Sequence, residues 1–106
     1  MIEFNNIYWN IKFVSSNHPM LVRSDKTVTI GSCDNNTRTI YINQHLQGAL
    51  LKKVLCHELV HAAIFSYHIN LTIDQEELIA DFVSTYGEEI IYKVNYLFTQ
   101  LKERLY

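Results

Sequence analysis

Two histidines four residues apart, with a glutamate beside the first, are the strongest chemical signal in this chain: His57-Glu58-Leu59-Val60-His61. On an α-helix, positions i and i+4 share a face, so both imidazoles can reach one tetrahedral zinc ion at about 2 Å. Glu58 falls on the flank of that face. From there it can accept a proton from metal-bound water and later deliver it to a leaving amine.

A catalytic zinc site needs a third protein ligand and leaves its fourth position to water. Glu77 and Asp81 are again i and i+4 on one face, and a helix returning after a short loop would carry that face onto the metal. Glu77 is the expected third ligand. Glu76, one residue out of phase, is its competitor. Asp81 is expected to accept a hydrogen bond from a ring N–H of a ligating histidine, which fixes the tautomer and raises its basicity. Tyr67, His68 and Tyr86 are candidates for stabilising an oxyanion, and the spacing selects none of them. Cys56 is expected to point away from the ligand face as a buried thiol. His18 and His45 fall in turn-like segments.

The elements that must position these groups change character near residue 45. Before it lie β-favouring runs at Ile7 to Val14, Met20 to Arg23, Val28 to Ser32 and Arg38 to Asn43. Polar turn material separates them, so a small, mostly antiparallel sheet of three or four strands is expected. From Leu46 the period becomes helical: Leu50, Val54, His57, His61, Ile64 and His68 recur at three- and four-residue steps, and a second apolar stripe runs through Leu51, Leu55, Leu59 and Ala62. A helix apolar on most sides belongs inside the fold. The segment 70–74 breaks it, and either Thr72 with Gln75 or Asp74 with Glu77 has the spacing of a capping box. Leu78, Phe82, Ile90, Val94, Leu97, Leu101 and Leu105 mark a face of the following helix, with Gly87 as a point of bending or breakage.

The residues so far resemble a known family. Ile30-Gly31, then Arg38 to Asn43, then Val54 to Ala62 around the histidine pair, then Glu77, Ala80, Asp81 and Phe82 are similar to the minimal ImmA/IrrE-type metallopeptidases and related small phage or mobile-element zinc peptidases. His57-Glu58-x-x-His61 followed by Glu77 and Asp81 also resembles the gluzincin pattern of thermolysin-like peptidases, with a much shorter interval between the motifs. Asp81 stands where ImmA/IrrE-type sequences often have asparagine. The resemblance implies a mini-zincin in which Glu58 is the general base and Glu77 completes the metal site. It also implies that the strand before the active-site helix, Thr39, Ile40, Tyr41 and Ile42, is an edge strand that holds peptide substrate.

Composition sets the outer bounds. The chain has 106 residues, 48% of them hydrophobic, which suffices for one modest core and therefore one domain spanning 1–106. With 9 basic against 11 acidic residues and a formal net charge of -2, no basic field supports binding to nucleic acid or anionic lipid. The apolar stretch from Ala49 to Ile69 is broken by Lys52, Lys53, His57, Glu58 and His61, which argues against a membrane span. Two cysteines do not make a disulfide framework, and the N-terminus lacks the pattern of a signal peptide, so a cytoplasmic location with reduced thiols is expected. The expectation is an α+β zinc metallopeptidase acting on a peptide or protein substrate, its oligomeric state open. The alternative is a metal-binding module that holds a partner protein without cleaving it; Glu58 disfavours this, because a structural zinc site needs no adjacent general base.

Overall fold

A computed structural model describes residues 1–105, with side chains as far as Leu101. Four strands form one sheet: β1 (Ile2–Phe4), β2 (Ile7–Val14), β3 (Gly31–Asp34) and β4 (Thr39–Asn43). Two helices follow, α1 (Gly48–Ser66) and α2 (Ile73–Leu105). The fold is α+β, and the sheet is mostly antiparallel with one parallel pair. Its order is β1-β2-β4-β3, with β1 antiparallel to β2, β2 parallel to β4 and β3 antiparallel to β4.

Local chemistry accounts for most boundaries. Asn5 and Asn6 both take positive φ and form the two-residue loop of the β1–β2 hairpin, a role suited to residues that tolerate the left-handed region. This first strand is an element that the β-favouring runs did not announce. Met20 to Arg23, expected to be a strand, instead begins with a 3-10 turn at Pro19–Leu21. Proline brings no N–H to a ladder and suits the first turn of a helix, and His18 Nδ1 accepts from the Met20 N–H at 3.1 Å. Of the expected strands Met20 to Arg23 and Val28 to Ser32, an isolated bridge between Val22 and Val28 remains, and Gly31 and Ser32 open β3. Cys33 and Asp34, read as turn residues, thus belong to β3.

β4 is the centre of the molecule. Ile40 and Ile42 are fully buried and pack with Trp9, Val54 and Ala62 under α1. On the opposite face Tyr41 stacks with His18, ring centroids 5.3 Å apart, beside the 3-10 turn and its buried Leu21. Trp9 donates its indole N–H to Ser66 Oγ at 2.8 Å, tying β2 to the end of α1 without an orphaned polar atom.

α1 ends where His68 enters the left-handed region at φ 55°, and the chain then reverses. The capping box is the Thr72 one: Thr72 N–H donates to Gln75 Oε1 at 3.0 Å, and Gln75 N–H donates to Thr72 Oγ1 at 3.2 Å. α2 runs unbroken through Gly87 for 33 residues. Contacts of His61 with Glu77, His57 with Asp81 and Lys52 with Glu88 descend along α1 as they ascend along α2, so the two helices are antiparallel. The side chain of Leu105, expected on the apolar face of α2, lies outside the described residues.

Candidate metal centre and catalytic cleft

The helical hairpin brings His57, His61, Glu76, Glu77 and Asp81 together. The two Nε2 atoms stand 3.2 Å apart. Glu77 closes the triangle, with Oε2 3.2 Å from His57 Nε2 and Oε1 3.0 Å from His61 Nε2. Behind this triangle, His57 Nδ1 lies 3.1 Å from Asp81 Oδ1 and His61 Nδ1 lies 2.6 Å from Glu76 Oε1. Glu76 is thus placed behind His61, and Glu77 at the front with both imidazoles.

Each imidazole is thus held between two carboxylates, one at Nδ1 and Glu77 at Nε2. A carboxylate that accepts from Nδ1–H fixes the tautomer whose Nε2 lone pair is free to bind a cation. The spacing suits one: two nitrogens bound at about 2.0–2.1 Å to a tetrahedral zinc stand roughly 3.3 Å apart. The donor set of two imidazoles and one carboxylate fits that ion, and one atom from each of His57, His61 and Glu77 lies within 4.8 Å of the others.

Glu58 projects from the same helix toward β3 and is only 7% exposed. Burial is the main cause that pushes its carboxyl up to about 7, reinforced by Glu77 and opposed by His61 and Arg23. The backbone of β3 leaves room for it. A Cβ on Gly31 would come 2.7 Å from Val54 Cγ1 and 3.1 Å from Glu58 Oε2, so only glycine lets α1 sit this close to the strand. Cys33, two residues on, is half-buried, and burial together with Glu58 and Glu76 raises its thiol well above the ordinary range. It is a neutral thiol. Cys56 lies on the other side of α1 beside Phe4, Leu55 and Leu59, as expected of a residue that points away from the ligand face.

A cleft of about 420 Å³ opens in front of the triangle, between Met20, Gly31 and Cys33 on one wall and Phe65 and Glu76 on the other. A second lobe of about 330 Å³ continues past His57 toward Leu50, Lys53 and Ser84. Arg23, Gly31, His57, Glu58 and Glu77 line both. Arg23 is the cleft residue that sequence reasoning missed. It belongs to the turn that Arg23 and Thr27 close through a 2.8 Å backbone hydrogen bond, and its guanidinium has no ion-pair partner among the described residues. A lone arginine in a β-like run carries no local mark of such a role.

Two expectations are corrected. Thr39, Ile40, Tyr41 and Ile42 do not form an edge strand: β4 lies between β2 and β3, and these four residues are all buried. The edge beside the metal centre is β3. Asn43 N–H donates to Ile30 O at 3.0 Å, and antiparallel alternation then turns the backbone groups of Ser32 and Asp34 toward β4 and those of Gly31 and Cys33 toward the open edge. Neither Tyr67, His68 nor Tyr86 lines the cleft. Tyr67 packs edge-on against Phe4, His68 ends α1, and Tyr86 tilts against Phe82.

No family model, curated protein or solved structure matches this chain.

Proposed function

We propose that this chain is a zinc-dependent peptidase whose general base is Glu58. The observation that carries the reading is the convergence of the two Nε2 atoms and the Glu77 carboxylate, each imidazole backed at Nδ1 by a carboxylate of its own. Zinc, when bound by His57, His61 and Glu77, supplies a Lewis acid that polarises a carbonyl and lowers the pKa of water.

The remaining work falls to the chain itself. A peptide laid along the edge of β3 pairs with the outward backbone groups of Gly31 and Cys33, sharing the Gly31 carbonyl with the Thr29 hydroxyl that donates to it at 3.2 Å, which fixes its direction without requiring particular side chains. Both lobes of the cleft meet at His57 and Glu58, so an extended segment passes the base with residues on either side. Glu58, buried and poised near neutrality, takes a proton from water and hands it to the leaving amine. Arg23, on the rim of both lobes, offers its guanidinium to the oxygen that gains negative charge. A buried carboxyl beside a cleft, with no part in the ligand triangle, favours catalysis over simple partner binding.

The test compares three purified variants by zinc content and by hydrolysis of unstructured protein and fluorogenic peptides. Glu58→Gln is expected to retain zinc and lose turnover, His61→Ala to lose both, and Arg23→Gln to retain zinc while turnover falls by about 10²-fold. Undiminished hydrolysis by the glutamine variant at position 58 would overturn the mechanism.

A further inference from the structure

One stripe of α2 packs on α1: Glu76, Ala80, Val83 and Gly87, with Ser84 beside them, are its buried or half-buried positions. The steps of four, three and four continue without a change of phase through Ile90, Val94, Leu97 and Leu101, and Ile91 and Phe98 repeat the position of Ser84. Burial does not continue. Ile90, Ile91, Val94, Leu97, Phe98 and Leu101 are 43 to 59% exposed. The reason is geometric: α1 begins at Gly48, one turn before the Lys52 that pairs with Glu88, so it ends about one turn past that level. Beyond it the same apolar stripe projects on a helix with nothing of its own chain beneath.

We propose that this projecting half of α2 pairs antiparallel with the same segment of a second copy, which takes over from α1 as the helix under the stripe. A strict seven-residue repeat is matched by a helix of the same repeat winding about it. The register is self-complementary. With Val94 opposite Leu97 of the other copy, Ile90 falls opposite Leu101, so the four positions fill four layers, each pairing the two kinds of heptad site. On one flank Ile91 meets Phe98 of the other copy. On the other Lys93 meets Gln100, and no like charges face each other. A parallel pair would instead set Lys93 against Phe98 on both flanks.

A membrane surface fits less well, because the stripe is bordered by Glu88, Glu89 and Lys93 rather than by a basic rim. Six half-exposed large apolar side chains per copy hide on the order of 1,000 Å² in total, the lower bound for a specific interface. A contact of that size belongs with weak assemblies, so the closed two-fold pairing is sought at chain concentrations from roughly micromolar to tens of micromolar and above.

Sedimentation of the full chain across that concentration range tests the pairing. The wild type is expected to pass from monomer to dimer. Leu97→Glu is expected to stay monomeric with helix content and zinc uptake unchanged, whereas Tyr92→Glu, on the opposite face, dimerises as the wild type does. Orientation is read from cross-linking over the background of the native thiols: Ile90→Cys with Leu101→Cys forms a covalent dimer, and Ile90→Cys alone does not. Efficient cross-linking by the single variant overturns the antiparallel arrangement. A wild type that stays monomeric throughout overturns the dimer, and binding of that monomer to anionic vesicles would assign the stripe to lipid instead.

Discussion

At residue scale the unusual group is Glu58. Its carboxyl rises from 4.5 to about 7 because burial disfavours the charged form. The fold therefore binds this proton more tightly than the unfolded chain does, and the stability of zinc-free protein falls as pH rises through the window between those values. Glu58→Gln removes the dependence. Urea titrations of chelator-treated protein at pH 5 and pH 8 are expected to show the variant gaining on the wild type by about 2.5 kcal/mol at the higher pH. Equal stability differences at the two pH values would contradict this account of the buried carboxyl. Asp81 and Glu76 act through the histidines behind which they lie. Replacing either by alanine frees one imidazole to rotate and to change tautomer, with an expected 10- to 100-fold loss of zinc affinity, while Glu77→Ala removes a ligand and loses more. Competition with a chromophoric chelator measures all three. The histidine pair, Glu77 and Asp81 were legible in sequence because helical periodicity alone determines which residues share a face. Periodicity left Glu76 open, and the turn after α1 decides it.

At the scale of elements, the close approach of α1 to β3 rests on Gly31. Gly31→Ala would drive a methyl into Val54 and against Glu58. The expected cost is about 1–3 kcal/mol, with turnover lost beyond what the stability change explains, because the base moves as the helix shifts. Thermal melts and kinetics on the same sample separate the two effects. The strands that sequence reading placed well, β2 and β4, are long or strongly apolar. β1 and β3 are short, and what defines them is pairing with distant segments rather than local composition. The edge assignment failed for the same reason: Thr39-Ile40-Tyr41-Ile42 carries no local mark of its neighbours, and only the pairing with β2 and β3 shows a strand covered on both faces in the middle of the sheet.

At the scale of the whole molecule, the sheet and α1 form one side of the candidate metal centre and α2 forms the other. Among the described residues no helix is long and apolar enough to cross a membrane. The 54 Å long dimension is that of α2 itself, which at 1.5 Å per residue spans about 50 Å. The interior that holds α2 to the rest is thin: along its first four turns only Ala80 is fully buried. Much of what seats this helix is therefore the cluster of imidazoles and carboxylates.

That division of labour makes the two helices a clasp. A cation shared by Glu77 and both histidines would add a bond across the hairpin; without one, the contacts of His57 with Asp81 and of His61 with Glu76 are left to join the first turns of α2 to α1. Ligand linkage at a thousandfold excess over the dissociation constant amounts to about 4 kcal/mol, so chelation should release protection from hydrogen exchange in α2 while the sheet keeps its own. Uniform loss across sheet and helix would contradict the clasp. On the proposed function, a cell short of zinc would hold this protein with its long helix unlatched, inactive and more open to degradation.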